Sequence, residues 1–218
     1  HSIEYGFYAE DPPYERKKFY RVVAWNVERG KNFSAILHTL KNHPEISQAD
    51  LLYLCETDVG MARTKNQNIA CELASALKMN YFFAPSYFNL CIGNATENHI
   101  VGDNQVGLHG NALLSKYPLK NLRTISLINC KDKMKGKEKR IGCQKTLVSD
   151  VVFPFRTITA VVAHLDAHSS PRQRARQMKT ILENLKEERH PILLGGDLNT
   201  STYNARHALC AFFGFWHK

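Results

Sequence analysis

The chain is expected to fold as an α/β domain with more than one sheet, and three observations carry that expectation. Strand-like and helix-like segments alternate over the first part of the chain. Apolar strand-like runs then cluster in the middle. No Gly-x-Gly-x-x-Gly follows a strand and no Gly-x4-Gly-Lys-Ser/Thr occurs, so the doubly wound dinucleotide and P-loop folds are unsupported.

Residues 1–18 are polar, contain Pro12-Pro13, and read as a lead-in to one domain over residues 19–218. Phe19 to Asn26 (FYRVVAWN) is rich in aromatic and branched residues and reads as a strand. Phe33, Ile36, Leu37 and Leu40 recur at helical spacing and give one apolar helix face, with Pro44 soon after. Leu51 to Cys55 (LLYLC) is a continuous apolar run, as in a strand buried on both faces. Ile69, Leu73, Ala76 and Leu77 mark a second amphipathic helix, and Tyr81 to Ala84 the next strand. Residues 86–110 are polar and contain glycine, and read as an irregular insertion. Strands are expected over 112–115, 122–128, 144–153 and 157–163. Pro171 suits the first turn of a helix whose apolar face is Met178, Ile181, Leu182 and Leu185. Ile192 to Leu194 reads as a short buried strand ending in Gly195-Gly196, and a last helix is expected over 204–212.

The 218 residues suffice for one sizeable core, and 44% hydrophobic with 22% charged residues is ordinary globular composition. The longest apolar runs are far too short to cross a bilayer as a helix, and no signal peptide is visible after His1. The expectation is a soluble protein of unassigned compartment, with peripheral membrane contact left open. The formal charge of +9 favours anionic partners such as nucleic acid, phosphorylated small molecules or an acidic membrane surface. Part of the excess is local, in residues 15–18 and in Lys131, Lys133, Lys135, Lys137, Lys139 and Arg140. That second cluster is either a solvated mobile loop or a phosphate-attracting rim. The six cysteines form no Cys-x-x-Cys pair, which argues against zinc; Cys130 and Cys143 flank the basic segment and are able to pair. Sequons stand at Asn32, Asn94 and Asn199, and a glycan on Asn199 would occupy the candidate site, so passage through a glycosylating pathway is not supported.

That site lies at the strand ends. Asn26 ends the first strand, Glu56 the second, His164 the 157–163 strand, and Asp197 and Asn199 follow the last. Ligand-binding loops of α/β sheets gather at such ends. A hard cation takes carboxylate oxygens, which Glu56 supplies. Neutral amides at Asn26 and Asn199 donate to phosphate without adding negative charge. His164 can donate to a phosphoryl oxygen or protonate a leaving oxygen, and Asp197 can accept a hydrogen bond from an attacking water. Each residue alone has a plainer reading, as a solvated carboxylate, a structural histidine, or a turn or cap residue.

Five segments in order carry a resemblance: VVAWNVERG (22–30), LLYLCETD (51–58), HGNALLSKYPL (109–119), VVAHLDAHSSPRQRARQ (161–177) and ILLGGDLNT (192–200). They resemble the motifs of the endonuclease/exonuclease/phosphatase family of deoxyribonuclease-like, metal-dependent phosphoesterases. The resemblance implies a four-layer α/β sandwich of two packed sheets flanked by helices, and Mg²⁺- or Mn²⁺-assisted attack of water on a phosphoester. By the same resemblance Glu56 is the metal ligand, Asn26 positions phosphate and metal, His164 contacts the phosphoryl group, Asp197 orients the water and Asn199 binds phosphate. Asn111 is expected to line the site, Arg140 to meet phosphate, and Asp58 and Arg63 to stand behind Glu56. The family's closing Ser-Asp-His motif, which supplies a metal-side Asp and the general-base His, has no counterpart between Asn199 and Lys218; neither His207 nor His217 follows an Asp. The expectation is a domain whose closing strands and base lie beyond Lys218.

Three functions follow as expectations. The first is a nuclease-type phosphodiesterase, favoured by the net charge and by Arg172, Arg174 and Arg176 after the His164 strand. The second is a phospholipid or small-phosphoester hydrolase, to which the aromatic run Phe212, Phe213, Phe215 and Trp216 would offer a contact surface. The third is a binding module that keeps the fold without the base.

Overall fold

A computed structural model of the chain describes residues 3–9, 17–94, 97 and 99–200. The expected helix over 204–212 and the aromatic run lie outside these residues. The elements are β1 (Glu4–Gly6), β2 (Val22–Arg29), α1 (Phe33–Asn42), β3 (Leu51–Val59), α2 (Ile69–Leu77), β4 (Asn80–Asn89), β5 (Leu108–Ser115), β6 (Leu119–Ser126), β7 (Arg140–Gly142), β8 (Lys145–Phe153), β9 (Arg156–His164), α3 (Pro171–Asn184) and β10 (Ile192–Asp197).

Strand alternation explains the layers. Along β3, Leu52 and Leu54 face one way and pack with Ile36 and Leu40 of α1 and Ile69 and Leu73 of α2. Leu51, Tyr53 and Cys55 face the other way and meet Leu147 and Val151 of β8 and Ala160 and Val162 of β9. Across β9 the phase reverses: Val161 and Ala163 pack on Ile181 of α3. A strand with apolar residues at every position is thus buried on both faces, and the order of layers is helix, sheet, sheet, helix.

The first sheet runs β1-β4-β5-β3-β2, with β7 added to β4; the second runs β10-β9-β8-β6. Only β2 with β3 and β9 with β10 pair in parallel among the described residues. The C-terminal ends of these four strands meet where β10 lies beside β2 and β3. The Tyr53 hydroxyl crosses between sheets and donates to the Leu193 carbonyl at 3.0 Å.

The helices start where local chemistry dictates. In α3, Ser170 accepts from the Gln173 N–H, the Gln173 side chain accepts from the Ser170 N–H, and Pro171 opens the first turn. In α2, the Asn68 side chain accepts from the Cys71 N–H.

Four expectations are corrected. The lead-in contributes an edge strand, β1, antiparallel to β4. The polar stretch from residue 86 is not all insertion, because Ser86 to Asn89 completes β4 and Leu108 begins β5. Its polar side chains are buried with partners: the Ser86 hydroxyl accepts from the Lys145 N–H and the Asn89 amide meets the Met61 sulfur. The β10 strand pairs only with β9 among the described residues, which leaves Ile192 and Leu193 exposed rather than buried. Cys130 and Cys143 are separate free thiols.

Candidate active site

The β2–β3 pairing runs in register to Asn26 opposite Cys55 and then slips by one residue. The β3–β5 pairing slips at the same place, between Leu54 and Thr57. Glu56 is the residue in the bulge, with a left-handed φ of 59°. Such a backbone is costly for a residue with a Cβ and persists only when its surroundings hold it. Asn111 of β5 does so. Its Oδ1 accepts from the Glu56 N–H at 3.4 Å and its Nδ2 donates to the Lys145 carbonyl at 3.0 Å.

From the second sheet, His164 ends β9 directly opposite Asp197, which ends β10. Gly196 makes this close approach possible. Its φ is 128°, and a Cβ there would fall 2.1 Å from the Ala163 carbonyl oxygen.

The side chains then converge. The Asn26 amide donates to Glu56 Oε1 at 3.0 Å and to Asp197 Oδ2 at 2.9 Å, joining carboxylates from two sheets. His164 Nε2 stands 4.0 Å from that Glu56 oxygen and 3.9 Å from that Asp197 oxygen. Gln144 Nε2 lies 3.5 Å from His164 Nδ1. Asn199, with φ 49°, donates its N–H to Asp197 Oδ1 at 3.0 Å and its amide to the Leu165 carbonyl at 2.8 Å.

The model of the endonuclease/exonuclease/phosphatase family matches residues 23–211 of the sequence. The chain belongs to this family. Solved structures share its fold. One is the endonuclease/exonuclease/phosphatase from Beutenbergia cavernae DSM 12333, at 20% identity and TM-score 0.57, covering 84% of this chain and 48% of that one. Another is the human Nocturnin catalytic domain with bound sulfate anion, at 20% identity and TM-score 0.57, covering 91% and 68%. A third is a family protein from Leptotrichia buccalis C-1013-b, at 14% identity and TM-score 0.57, covering 90% and 73%. The chain thus spans about half the length of the first. No curated protein sequence matches it.

Behind Glu56, this family member carries a buried ionic network. Arg63 grips both oxygens of Asp58, through Nε at 2.6 Å and Nη2 at 3.0 Å. Its Nη1 binds Glu138, from the basic segment. His109 Nδ1 lies 2.8 Å from Asp58 Oδ1, so the carboxylate orients the ring. Arg29 pairs with Glu97 at 2.5 Å and with Glu138 at 3.5 Å. Burial pushes the Asp58 carboxyl up, but His109 and Arg63 outweigh it and hold Asp58 below its ordinary range. Glu56 is likewise held low: burial opposes, while His109, the Asn26 amide and His164 prevail. Burial pulls the His164 imidazole below its ordinary range, against the attraction of Glu56 and Asp197.

The cleft over these groups is a cavity of about 130 Å³ lined by Arg29, Glu56, Tyr87, His109, Arg140 and His164, with Lys133, Asp166 and His168 at its rim. Among the described residues no three His, Cys, Asp or Glu side chains form a metal-holding cluster. A Mg²⁺-type ion asks for less, since one or two carboxylates, waters and substrate oxygens complete its shell. Two carboxylates drawn to one amide, Glu56 and Asp197, match that donor set.

Of the residues named from sequence, Asn26, Glu56, His164 and Asp197 share one cluster, with Asn199 at its edge. Arg140 reaches the cleft, its guanidinium 4.5 Å over the Tyr87 ring. Asn111 is buried, and both ends of its amide hold backbone rather than line the cleft. Arg172 is exposed on the first turn of α3 and does not line the cleft. Arg174 is buried against the Ser169 carbonyl, and Arg176 lines a separate groove with Ile128 and Gln173. Helix geometry explains the scatter: residues two apart differ by about 200° around the axis, so the three arginines cannot share a face. His109, Lys133, Asp166 and His168 are site residues that the sequence reading missed. His109 was within reach, because strand alternation puts it on the same face of β5 as Asn111.

Proposed function

We propose that the protein is a divalent-metal-dependent phosphoesterase that cleaves phosphodiester bonds by attack of water, with nucleic acid as its substrate class. The observation that supports this best is the single Asn26 amide bonded to both Glu56 and Asp197, with His164 Nε2 about 4 Å from the same two oxygens.

Glu56 and Asp197 would hold the metal, which when bound supplies Lewis-acid polarisation of the phosphoryl group. Around it the chain's own groups divide the work. Asn26 and Asn199 fix the carboxylates and present amides to phosphate oxygens. Asp197 accepts a hydrogen bond from the water whose oxygen forms the new P–O bond. His164, kept neutral by burial, donates from Nε2 to a phosphoryl oxygen as the bond to the leaving oxygen breaks. Arg140 and Arg29 face the cleft and offset the phosphate charge.

The test is hydrolysis of single-stranded DNA, RNA, sphingomyelin and bis-p-nitrophenyl phosphate across a Mg²⁺ titration. Metal-dependent turnover is expected, abolished in Glu56→Gln and lowered by about 10² or more in His164→Gln. A preference for sphingomyelin would overturn the nucleic-acid assignment. Turnover indifferent to both variants would overturn the site.

A further inference from the structure

The segment from Lys131 to Arg140 forms the wall of a second cavity, of about 320 Å³, beside the cleft. Its lining includes Lys131, Lys137, Arg29, Lys133, Arg140 and His168, and the last four also border the cleft, so the two spaces adjoin. This segment is anchored, not a free loop. Lys133 pairs with Asp166 at 2.7 Å. The Asp132 side chain accepts from the Met134 N–H at 2.9 Å. Glu138 is buried and held by Arg63 and Arg29. The Leu90 N–H donates to the Lys139 carbonyl, and β7 adds to the edge of β4.

The charge balance of the wall is uneven. Arg29 is compensated by Glu97 and Glu138, and Lys133 by Asp166. Among the described residues no carboxylate lies within ion-pair distance of Lys131, Lys137 or Arg140. A built cavity with three uncompensated cations, opening on a candidate phosphoester site, is complementary to a second anion of the same substrate.

We propose that this cavity is a second phosphate subsite, which holds a phosphate of the substrate one or more linkages away from the scissile one. It deepens the phosphoesterase reading and rests on it. The favoured substrate then carries at least two phosphates, either a terminal phosphate beside the cleaved linkage or a flanking diester of a strand. A substrate with a single phosphodiester fills only the cleft.

The double variant K131Q/K137Q tests this, since both lysines are exposed and neither belongs to the catalytic cluster. Binding of TpT, pTpT and (dT)6 is measured in EDTA, so no turnover is required. The variant is expected to weaken pTpT and (dT)6 about fivefold while TpT stays within about twofold. The slope of log Kd against log salt for (dT)6 should shrink by about 1.4, at about 0.7 per contact on a single strand. Loss with pTpT assigns a terminal phosphate, and loss confined to (dT)6 a flanking diester; either supports the subsite. Equal loss for TpT, or no loss at all, overturns it. So does an equal loss in K41Q/K120Q, which removes the same charge from exposed lysines outside this cavity. Selective binding loss in a chain that hydrolyses nothing would retain the subsite and reject the phosphoesterase reading.

Discussion

Glu56 is held by a neighbour that does no chemistry. Asn111→Ala would strand the Glu56 N–H and the Lys145 carbonyl, at about 1–3 kcal/mol for buried unpartnered groups. Urea unfolding should show that loss together with a fall in kcat, because the bulge no longer fixes the Glu56 carboxylate. Arg63→Met leaves Asp58 and Glu138 buried without their cation, so a larger loss of about 3–5 kcal/mol is expected in the same measurement. Burial pushes the Cys55 thiol up to about 12, so it should resist alkylation at pH 8 in the folded protein and react in denaturant. Residues that end apolar strands, such as Asn26, Glu56 and His164, were legible because a polar side chain closing a continuous apolar run marks a strand end, where ligand-binding loops gather. The Asp58–Arg63–Glu138 network was not, because Glu138 arrives from 75 residues away along the chain and nothing local marks it as buried.

Among the elements, β10 is the most constrained. Gly196→Ala adds a Cβ against the Ala163 carbonyl at a backbone conformation that alanine avoids. A cost of about 1–3 kcal/mol is expected, with Asp197 displaced and kcat lowered even where the protein remains folded. The basic segment has its own acid response. Burial pushes the Asp166 carboxyl up, but Lys133 outweighs it and holds Asp166 below its ordinary range. A depressed folded pKa gives stability that is present above the unfolded value, about 3.9, and lost as pH falls through the folded one. Lys133→Gln should therefore flatten the pH dependence of stability below about pH 4, read as urea midpoints across pH 3 to 6. Elements with clean periodicity, α1 to α3 and β3, were legible from spacing alone. The end of β4 was not, because Ser86 and Asn89 look like loop residues until their buried partners are known. The three arginines of α3 were not legible as a group either, because closeness along a helix sequence is not closeness in space.

At the scale of the molecule, the two sheets meet over a core that never reaches the rim, and there the Asn26 amide spans the gap, bonded to Glu56 on its own sheet and Asp197 on the other. It acts as a latch as well as a ligand. The site exists only while the sheets are docked, so its amides cannot open by fraying of β10 alone without breaking that bond. Hydrogen exchange at Leu165, whose N–H is held by the Asp197 carbonyl, should then follow global unfolding in the native protein. In Asn26→Ala it should drop to a faster, local route. Asn26→Asp would turn the latch into a wedge, with a third carboxylate forcing the sheets apart at the point where they now hold each other.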